Sequence, residues 1–573
     1  MQITDSTFLN RSNPFLPKIF SAFIENYNFS KFQKDLIAGV IVGIVAIPLS
    51  IAFAIASGAR PEQGLVTAVV AGFIASMSSG SMYQISGPTG AFVILVLSTI
   101  TQYGYEGMLI ATFLAGMMLV IAGFSRMGAV IKFIPYSVTV GFTSGIALLI
   151  ATSQLADLFG ISIHLSNKNM VEKWISIAQH IFEMNWTALT IGLFTIVIMR
   201  VWPLLKTPIP GSLIAIILST VTVSAFSLSC MTIGDRYGTI EFSFPVFSFP
   251  SFKLDSILEL IQPAIAIALL AGIESLLSAV VADGMTASRH RSHMELISQG
   301  FANIGSSLVG GLPATGAIAR TATNIRSGAV SPVSGMIHAI VILASMLFLG
   351  TMISVIPLAA LAGILLVIAY NMSEWKQFLT IFRCPAGDVV ILLTTFLLTI
   401  LVDLVVAIEV GIVLGAFITL NRFAEASGIK NYTDAIDQEE NPKDQEILKS
   451  LNLPSSVEVY EIYGSLFFAA MEKFMAAQAR LNTMPRILII RMRYVMTIDA
   501  SGIRLMMDLL NQAKRSGTLL LISGMKKSDS LYQSLEKAQF ISKIGKENIF
   551  TSFVHAVDFA KERLDEGAKK INE

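Results

Sequence analysis

Charge is scarce in the first three-quarters of this chain. Its 573 residues include 40 Lys or Arg and 39 Asp or Glu. Residues 426–573 hold 20 and 19 of these, about 26% of that stretch, which leaves about 9% for the first 425 residues. Soluble domains carry about 25%, so a cytosolic enzyme and a disordered chain are both excluded. Cysteine is scarcer still. Cys230 and Cys384 have neither metal-ligand spacing nor a disulfide framework, which excludes a secreted disulfide scaffold. Neither sign of charge dominates, the net being +1, so nucleic acid is not an expected partner. No Gly-rich phosphate loop precedes a Lys-Ser/Thr pair, and no nucleophile–base or metal constellation is present. An enzyme, a cofactor and a metal site are therefore not expected. No cleavable signal precedes the first long apolar run, near Leu36; the segment before it carries Arg11, Lys18, Lys31 and Lys34.

What is abundant is apolar sequence, 54% of the chain. Runs of the roughly 20 residues needed to cross a bilayer lie near 36–56, 64–80, 107–124, 130–152, 176–202, 211–230, 257–282, 333–350, 352–371 and 388–420, the last divided at Asp403. Shorter runs interrupted by Gly and Pro lie near 87–100, 296–311 and 314–326. Together they predict a polytopic α-helical membrane protein with fourteen transmembrane segments over 35–425. An even number places both termini on one side. Every second short loop is basic, with Arg126 and Lys132, Arg200 and Lys206, Arg289 and Arg291, then Lys376 and Arg383, so that side is the cytoplasm. Residues 1–34 form a cytoplasmic N-terminal segment and 426–456 a polar linker. From 457 to 567 strands (Val457–Ile462, Ile487–Arg491, Leu519–Ser523) alternate with helical stretches (Ala469–Leu481, Ile503–Arg515, Val554–Leu564), as in a small cytoplasmic α/β domain.

The membrane part repeats. Thr89-Gly90-Ala91-Phe92 and Thr315-Gly316-Ala317-Ile318 match at an offset of 226, which also aligns Asp35–Gly58 with Ile261–Gly284. The next pair, Gly64–Gly80 and Glu295–Gly311, requires a five-residue insertion. Two repeats of seven spans, about 35–230 and 257–425, must have opposite orientations. Both matched blocks follow a proline, Pro88 or Pro313, placed as if at a first helical position. Inverted repeats with two Gly/Pro-interrupted segments at corresponding positions point to a binding site at the midplane. A helix that starts inside the membrane leaves free N–H groups and a partial positive charge, which is an anion site. The alternative is a pair of kinks satisfied by the hydroxyls of Ser86, Thr89 and Thr315.

Two charges interrupt apolar runs near these blocks. Glu274 stands midway through its helix; burial disfavours a charged carboxylate, so it suits carrying a proton or pairing with a cation. Arg320 follows on the second broken segment, either as its ion-pair partner or as added positive potential for the anion. Asp283, Arg326, Asp403 and Glu409 lie nearer helix ends, where solvated charges are ordinary.

With these residues in view the chain resembles the SulP anion-transporter family, relatives of the solute-carrier-26 proteins. The resemblance is carried by Asp-Leu-Ile-Ala-Gly-Val at 35–40, Ser-Gly-Pro-Thr-Gly-Ala-Phe at 86–92, Ile-Glu-Ser-Leu-Leu-Ser at 273–278, Gly-Gly-Leu-Pro-Ala-Thr-Gly-Ala-Ile-Ala-Arg-Thr at 310–321 and Asn-Met-Ser-Glu at 371–374. The soluble end is similar to a STAS domain through Gly464–Ala469 and Ile498-Asp499-Ala500-Ser501-Gly502. The resemblance implies a 7+7 inverted-repeat (UraA-like) fold, substrate between the third and tenth segments, and a homodimer working by an elevator movement. In the sodium-dependent bicarbonate branch it implies a cation on an acidic residue and a hydroxyl, here Glu274 and Ser278, plus a Thr whose position is Ile318. Ile318 offers no oxygen, which suits the branch similar to dicarboxylate/proton symporters better. In stand-alone STAS proteins the counterpart of Ser501 is phosphorylated; the alternative reading is that Asp499 and Ser501 cap the helix after the strand.

The expectation is a proton-coupled secondary transporter of a C4-dicarboxylate, sulfate or bicarbonate in the inner membrane. Thr89, Gly90, Ala91 and Phe92 would hold the anion with Thr315, Gly316, Ala317, Ile318 and Arg320, and Glu274 would take the proton. Membrane lipid surrounds it, and a cytoplasmic protein could dock on the STAS-like domain. The rival readings are a sodium-coupled bicarbonate transporter, an anion exchanger or channel-like relative, and a nucleobase carrier, which lacks such a tail.

Overall fold

The chain is seen in a computed structural model, which describes residues 13–24, 27–128, 135–161, 163, 170–205, 207, 209–238, 247, 254–348, 350–402, 404–431, 453–470, 473 and 485–572. It divides into two compact units, Met1–Gly415 and Ala416–Glu573.

The first unit is helical, and its last helix, Leu404–Glu425, runs past Gly415 into the second. Its elements are α1 (Lys18–Ile24), α2 (Phe29–Ala56), α3 (Pro61–Ser78), β1 (Ser86–Gly87), α4 (Phe92–Phe124), α5 (Tyr136–Phe159), α6 (Met170–Gln179), α7 (Trp186–Val201), α8 (Gly211–Ala225), α9 (Ile233–Tyr237), α10 (Leu254–Thr286), α11 (Ser292–Leu308), β2 (Thr315–Gly316), α12 (Ile318–Arg326), α13 (Val333–Phe348), α14 (Gly350–Ser354), α15 (Leu358–Met372), α16 (Trp375–Ile381), α17 (Ala386–Leu401) and α18 (Leu404–Glu425). α4 is two segments in one: Gly104 stands at φ 75, ψ 175, a conformation open to glycine and costly for a residue with Cβ. Counting both halves of α4, the transmembrane segments are α2, α3, α4 twice, α5, α7, α8, α10, α11, α12, α13, α15, α17 and α18.

The repeat is visible in where these helices start. Phe92 of α4 and Ile318 of α12 are 226 positions apart, and Pro61 of α3 and Ser292 of α11 are 231 apart, as the five-residue insertion requires. Packing follows the same symmetry. α2 and α3 pack on α13, while their counterparts α10 and α11 pack on α4. Likewise α5 packs on α17, and α15 packs on α7. These partners form two groups, α2–α4 with α10–α13 and α5–α8 with α15–α18. Small residues permit the close crossings. A Cβ on Gly300 would lie 2.7 Å from the Gly116 carbonyl, so α4 and α11 meet backbone to backbone.

One expectation shifts. The run near 176–202 is not one span: the chain breaks after Gln179, and Asn185 starts α7 by accepting from the Thr187 and Ala188 amides at 2.9 and 3.3 Å. Asp403 lies outside the described residues, but the division there stands, between Leu401 and Leu404.

The second unit holds a five-stranded sheet in the order β3 (Gly428–Asn431), β4 (Val457–Leu466), β5 (Ile487–Ile498), β6 (Leu519–Ser523) and β7 (Ile549–Phe550). Only β3 is antiparallel. It lies within the stretch read as linker, so the sheet starts earlier than 457. Period-two alternation in β5 explains the two cores. Leu488, Ile490 and Met492 face α19 (Ala500–Ser516), α20 (Ser530–Lys537) and α21 (Phe540–Ile544), whereas Ile487 and Ile489 face α22 (Phe553–Asn572). The helix expected over Ala469–Leu481 lies almost wholly outside the described residues.

Candidate functional site

The two broken segments meet. β1 and β2 pair antiparallel, Ser86 opposite Gly316 and Gly87 opposite Thr315. Each strand leads within a few residues into a helix, α4 or α12. Antiparallel pairing sends those helices in opposite directions, so their N-termini face one another across the strand pair. Gly316 is required by this crossing: a Cβ there would collide with the Gln84 amide and lie 3.1 Å from the Ser275 Cα. The prolines are not at first helical positions. Pro88 follows β1 and Pro313 precedes β2, so they stiffen the extended approach, and the helices start later, at Phe92 and Ile318.

Neither helix has a side-chain cap at its N-cap residue, Ala91 or Ala317. The hydroxyls that could have satisfied them are engaged elsewhere. Thr315 Oγ1 donates to the Ala271 carbonyl at 2.9 Å, Thr89 Oγ1 donates to Glu274 Oε2 at 3.0 Å, and Ser86 Oγ accepts from Gln299 Nε2 at 2.7 Å. Among the described residues none of the three hydroxyls accepts from a first-turn amide, so they do not act as the caps that the kink reading requires. Some amides in the matched blocks are also spoken for: Phe92 donates to the Thr89 carbonyl and Ala317 to the Ile85 carbonyl. The first-turn amides of α12, from Ile318 to Arg320, lack an intrahelical acceptor, and Ile318 and Ala319 are exposed. Gly90 and Ala91 are buried at the start of α4.

Glu274 reaches this crossing from α10 through Thr89. It lines a small cavity with Ile318, with Val138, Thr139, Phe142 and Thr143 of α5, and with Glu374. Arg320 does not pair with it. The guanidinium is buried, with Nη2 donating to the Pro88 carbonyl and Nη1 without a hydrogen-bond partner among the described residues. It braces the strand from α12 and adds positive charge beside the crossing. Ser278 Oγ donates to Thr321 Oγ1 at 3.1 Å, so its hydroxyl is engaged within the helices. Ser501 is half-buried in the first turn of α19, whose N-cap is Asp499; that carboxylate accepts from the Gly502 amide at 2.9 Å and the Phe468 amide at 3.0 Å.

Sequence reasoning missed the scaffold behind the site. Glu295 of α11 is fully buried and accepts five hydrogen bonds, from Ser79 Oγ, the Gly80 amide, Gln84 Nε2, Ser275 Oγ and Gln299 Nε2, at 2.8 to 3.1 Å. Gln299 passes the connection to Ser86 of β1, and Asn303 clamps residue 314 through Oδ1 and Nδ2 at 2.9 and 2.8 Å. Glu295, Gln299 and Asn303 stand four residues apart, one face of a helix, and that spacing was the available signal. Asp35, also fully buried, accepts from Tyr27 Oη, the Val330 and Ser331 amides and Ser331 Oγ, at 2.5 to 3.1 Å. Among the charges read as lying at helix ends, Asp283 binds His290, while Arg326 and Glu409 are exposed.

The profile of the sulfate permease family matches residues 32–395, and that of the STAS domain matches 450–556. The chain is 43% identical over 533 residues to the Bacillus subtilis protein named "Putative sulfate transporter YvdB", covering 93% of this chain and 98% of that one. It is 32% identical over 424 residues to "Bicarbonate transporter BicA" of Picosynechococcus, covering 72% and 74%. Among solved structures, SLC26A9 superposes with a TM-score of 0.83 at 18% identity, covering 99% of this chain and 96% of that one, a likeness of fold. The transmembrane domain of a cyanobacterial BicA superposes with a TM-score of 0.60 at 30% identity, covering 66% and 98%. The membrane unit thus has the 7+7 inverted-repeat fold, followed by a STAS domain.

Proposed function

This chain belongs to the sulfate permease family, and from that premise we propose that it is a proton-coupled secondary carrier of a small oxyanion. The observation that carries the reading is the crossing of two helix N-termini without side-chain caps, beside a carboxylate that accepts from Thr89 and does not pair with Arg320. Two such termini each present roughly half a positive charge. An oxyanion placed there accepts from Gly90, Ala91 and the amides of Ile318 onward, with the Arg320 charge behind it. Glu274 carries the accompanying proton, so that less net charge crosses the membrane. Sulfate and bicarbonate are the first candidates, because relatives bear those names; succinate stands for the dicarboxylates.

Sodium coupling is disfavoured at the same place. Ile318 supplies no side-chain oxygen, whereas a hard cation takes several oxygen ligands. The two packing groups of helices support an elevator movement, in which α2–α4 and α10–α13 carry the site past α5 and α15. The protein would work as a homodimer in the cytoplasmic (inner) membrane, with both termini in the cytoplasm, consistent with its basic alternate loops. The STAS domain would offer its sheet and helices to a cytoplasmic protein. A phosphate on Ser501 would meet the Asp499 carboxylate at the same helix end, so modification would disturb that cap.

Proteoliposomes loaded at pH 7.5 and diluted into pH 6 buffer provide the test. Labelled sulfate, bicarbonate and succinate are offered with and without sodium. Inward pH gradients should drive uptake of at least one anion regardless of sodium; uptake that follows sodium and ignores pH would overturn the reading.

A further inference from the structure

At the membrane face where α2 and α5 end, α6 is built inside out. Its exposed residues include Val171, Trp174 and Ile175, at 60%, 47% and 52% exposure, and its buried ones are Lys173, Ser176 and Ile177. A surface helix normally turns its apolar stripe inward. Here an indole and two branched aliphatic side chains face outward, as at a membrane interface, and a lysine faces in.

What Lys173 faces is a cavity of about 440 Å³, lined also by Ser153, Gln154 and Asp157 of α5, by Asp235, Arg236 and Tyr237, and by Leu97 of the first half-helix. A second cavity of about 420 Å³ shares Asp157, Met231, Asp235 and Arg236 with it. The other charges on the wall are committed. Asp157 takes both Arg236 nitrogens, at 2.6 and 3.2 Å. Asp235 accepts from the Thr232 amide and hydroxyl, each at 2.8 Å. Lys173 is only 9% exposed and has no hydrogen bond or ion pair among the described residues. Burial alone acts on its ammonium, holding it below the usual lysine range. A cation so placed lacks a counter-charge, and burying one costs free energy unless something pairs with it.

We infer that this cavity is an outer docking site in which Lys173 captures the carrier's small oxyanion before it passes to the crossing of the half-helices. Resting on the carrier reading above, this adds a second anion position on the external side. Lys173 supplies a compact, mobile charge suited to transient capture, Gln154 and Ser153 offer neutral polar contacts, and Leu97 lies on the helix that starts at the transport site.

The test is sided transport kinetics in oriented proteoliposomes, using whichever of labelled sulfate, bicarbonate or succinate the wild type carries. Lys173→Met should raise the external KM about tenfold, the loss of one charge-assisted contact. The maximal rate and the KM from the internal face should stay near wild type. Lys173→Arg should recover most of the external affinity. Should the Met variant fail to assemble, Lys173→Gln carries the same expectation. An unchanged external KM would overturn the docking site and leave the carrier intact, as would an equal rise on both faces. A wild type that carries none of the three anions would end the carrier reading, and the docking site with it.

Discussion

Glu274→Gln is expected to abolish accumulation of the anion against its gradient while leaving anion-for-anion exchange measurable. The amide cannot take up and release the proton, but it retains the shape of the carboxyl and can still accept from Thr89 Oγ1, the bond seen at 3.0 Å. Energetic coupling is then lost without loss of the site. The expected readout is a collapse of pH-driven accumulation from about thirtyfold, for a gradient of about 1.5 pH units, to none, with counterflow of labelled anion preserved. Accumulation that persists in the variant would move the proton to another group. Glu374 would be the next candidate, because it lines the same cavity from the opposite group of helices and accepts from Tyr136 Oη at 3.2 Å.

Glu295→Ala should have the largest effect on the fold itself. Five donors converge on that carboxylate, and its removal would leave them buried and unpaired. Breaking a buried charged network in this way costs about 3–5 kcal/mol. Thermal melting in detergent should fall by several degrees, with transport lost as Gln84 and Gln299 release β1. Glu295→Gln, which keeps one accepting oxygen, should fall between the two. A Glu295→Ala protein that melts like wild type would mean that the network is ornamental and that packing alone holds the crossing.

Much of the architecture could be read from sequence because it depends on local rules. Apolar length set the segments, and the 226-residue offset that aligned Thr89-Gly90-Ala91-Phe92 with Thr315-Gly316-Ala317-Ile318 also separates the first residues of α4 and α12. The break in α4 fell between the runs read at 87–100 and 107–124; that Gly104 makes it, with positive φ, was not marked in the sequence. Pro88 and Pro313 were read as helix starters because proline fits that position, yet each also fits extended backbone equally well, and pairing between β1 and β2 decided the matter. Partner choice was the least legible part. Glu274 and Arg320 stand out in sequence as neighbours of opposite charge, but Arg320 is drawn to the Pro88 carbonyl 232 positions away. Glu295 was not singled out in the sequence, since its five donors come from the loop at 79–84, from α10 and from its own helix, which only the fold assembles.

The account's central claim is that anion and proton move together through the site at the crossed helices. The most direct measurement is the luminal pH of proteoliposomes carrying a trapped pH dye, with anion added outside at equal pH on both sides. Wild-type vesicles should acidify as the anion enters, and Glu274→Gln vesicles should not. Anion entry into wild-type vesicles with no luminal pH change would contradict the claim.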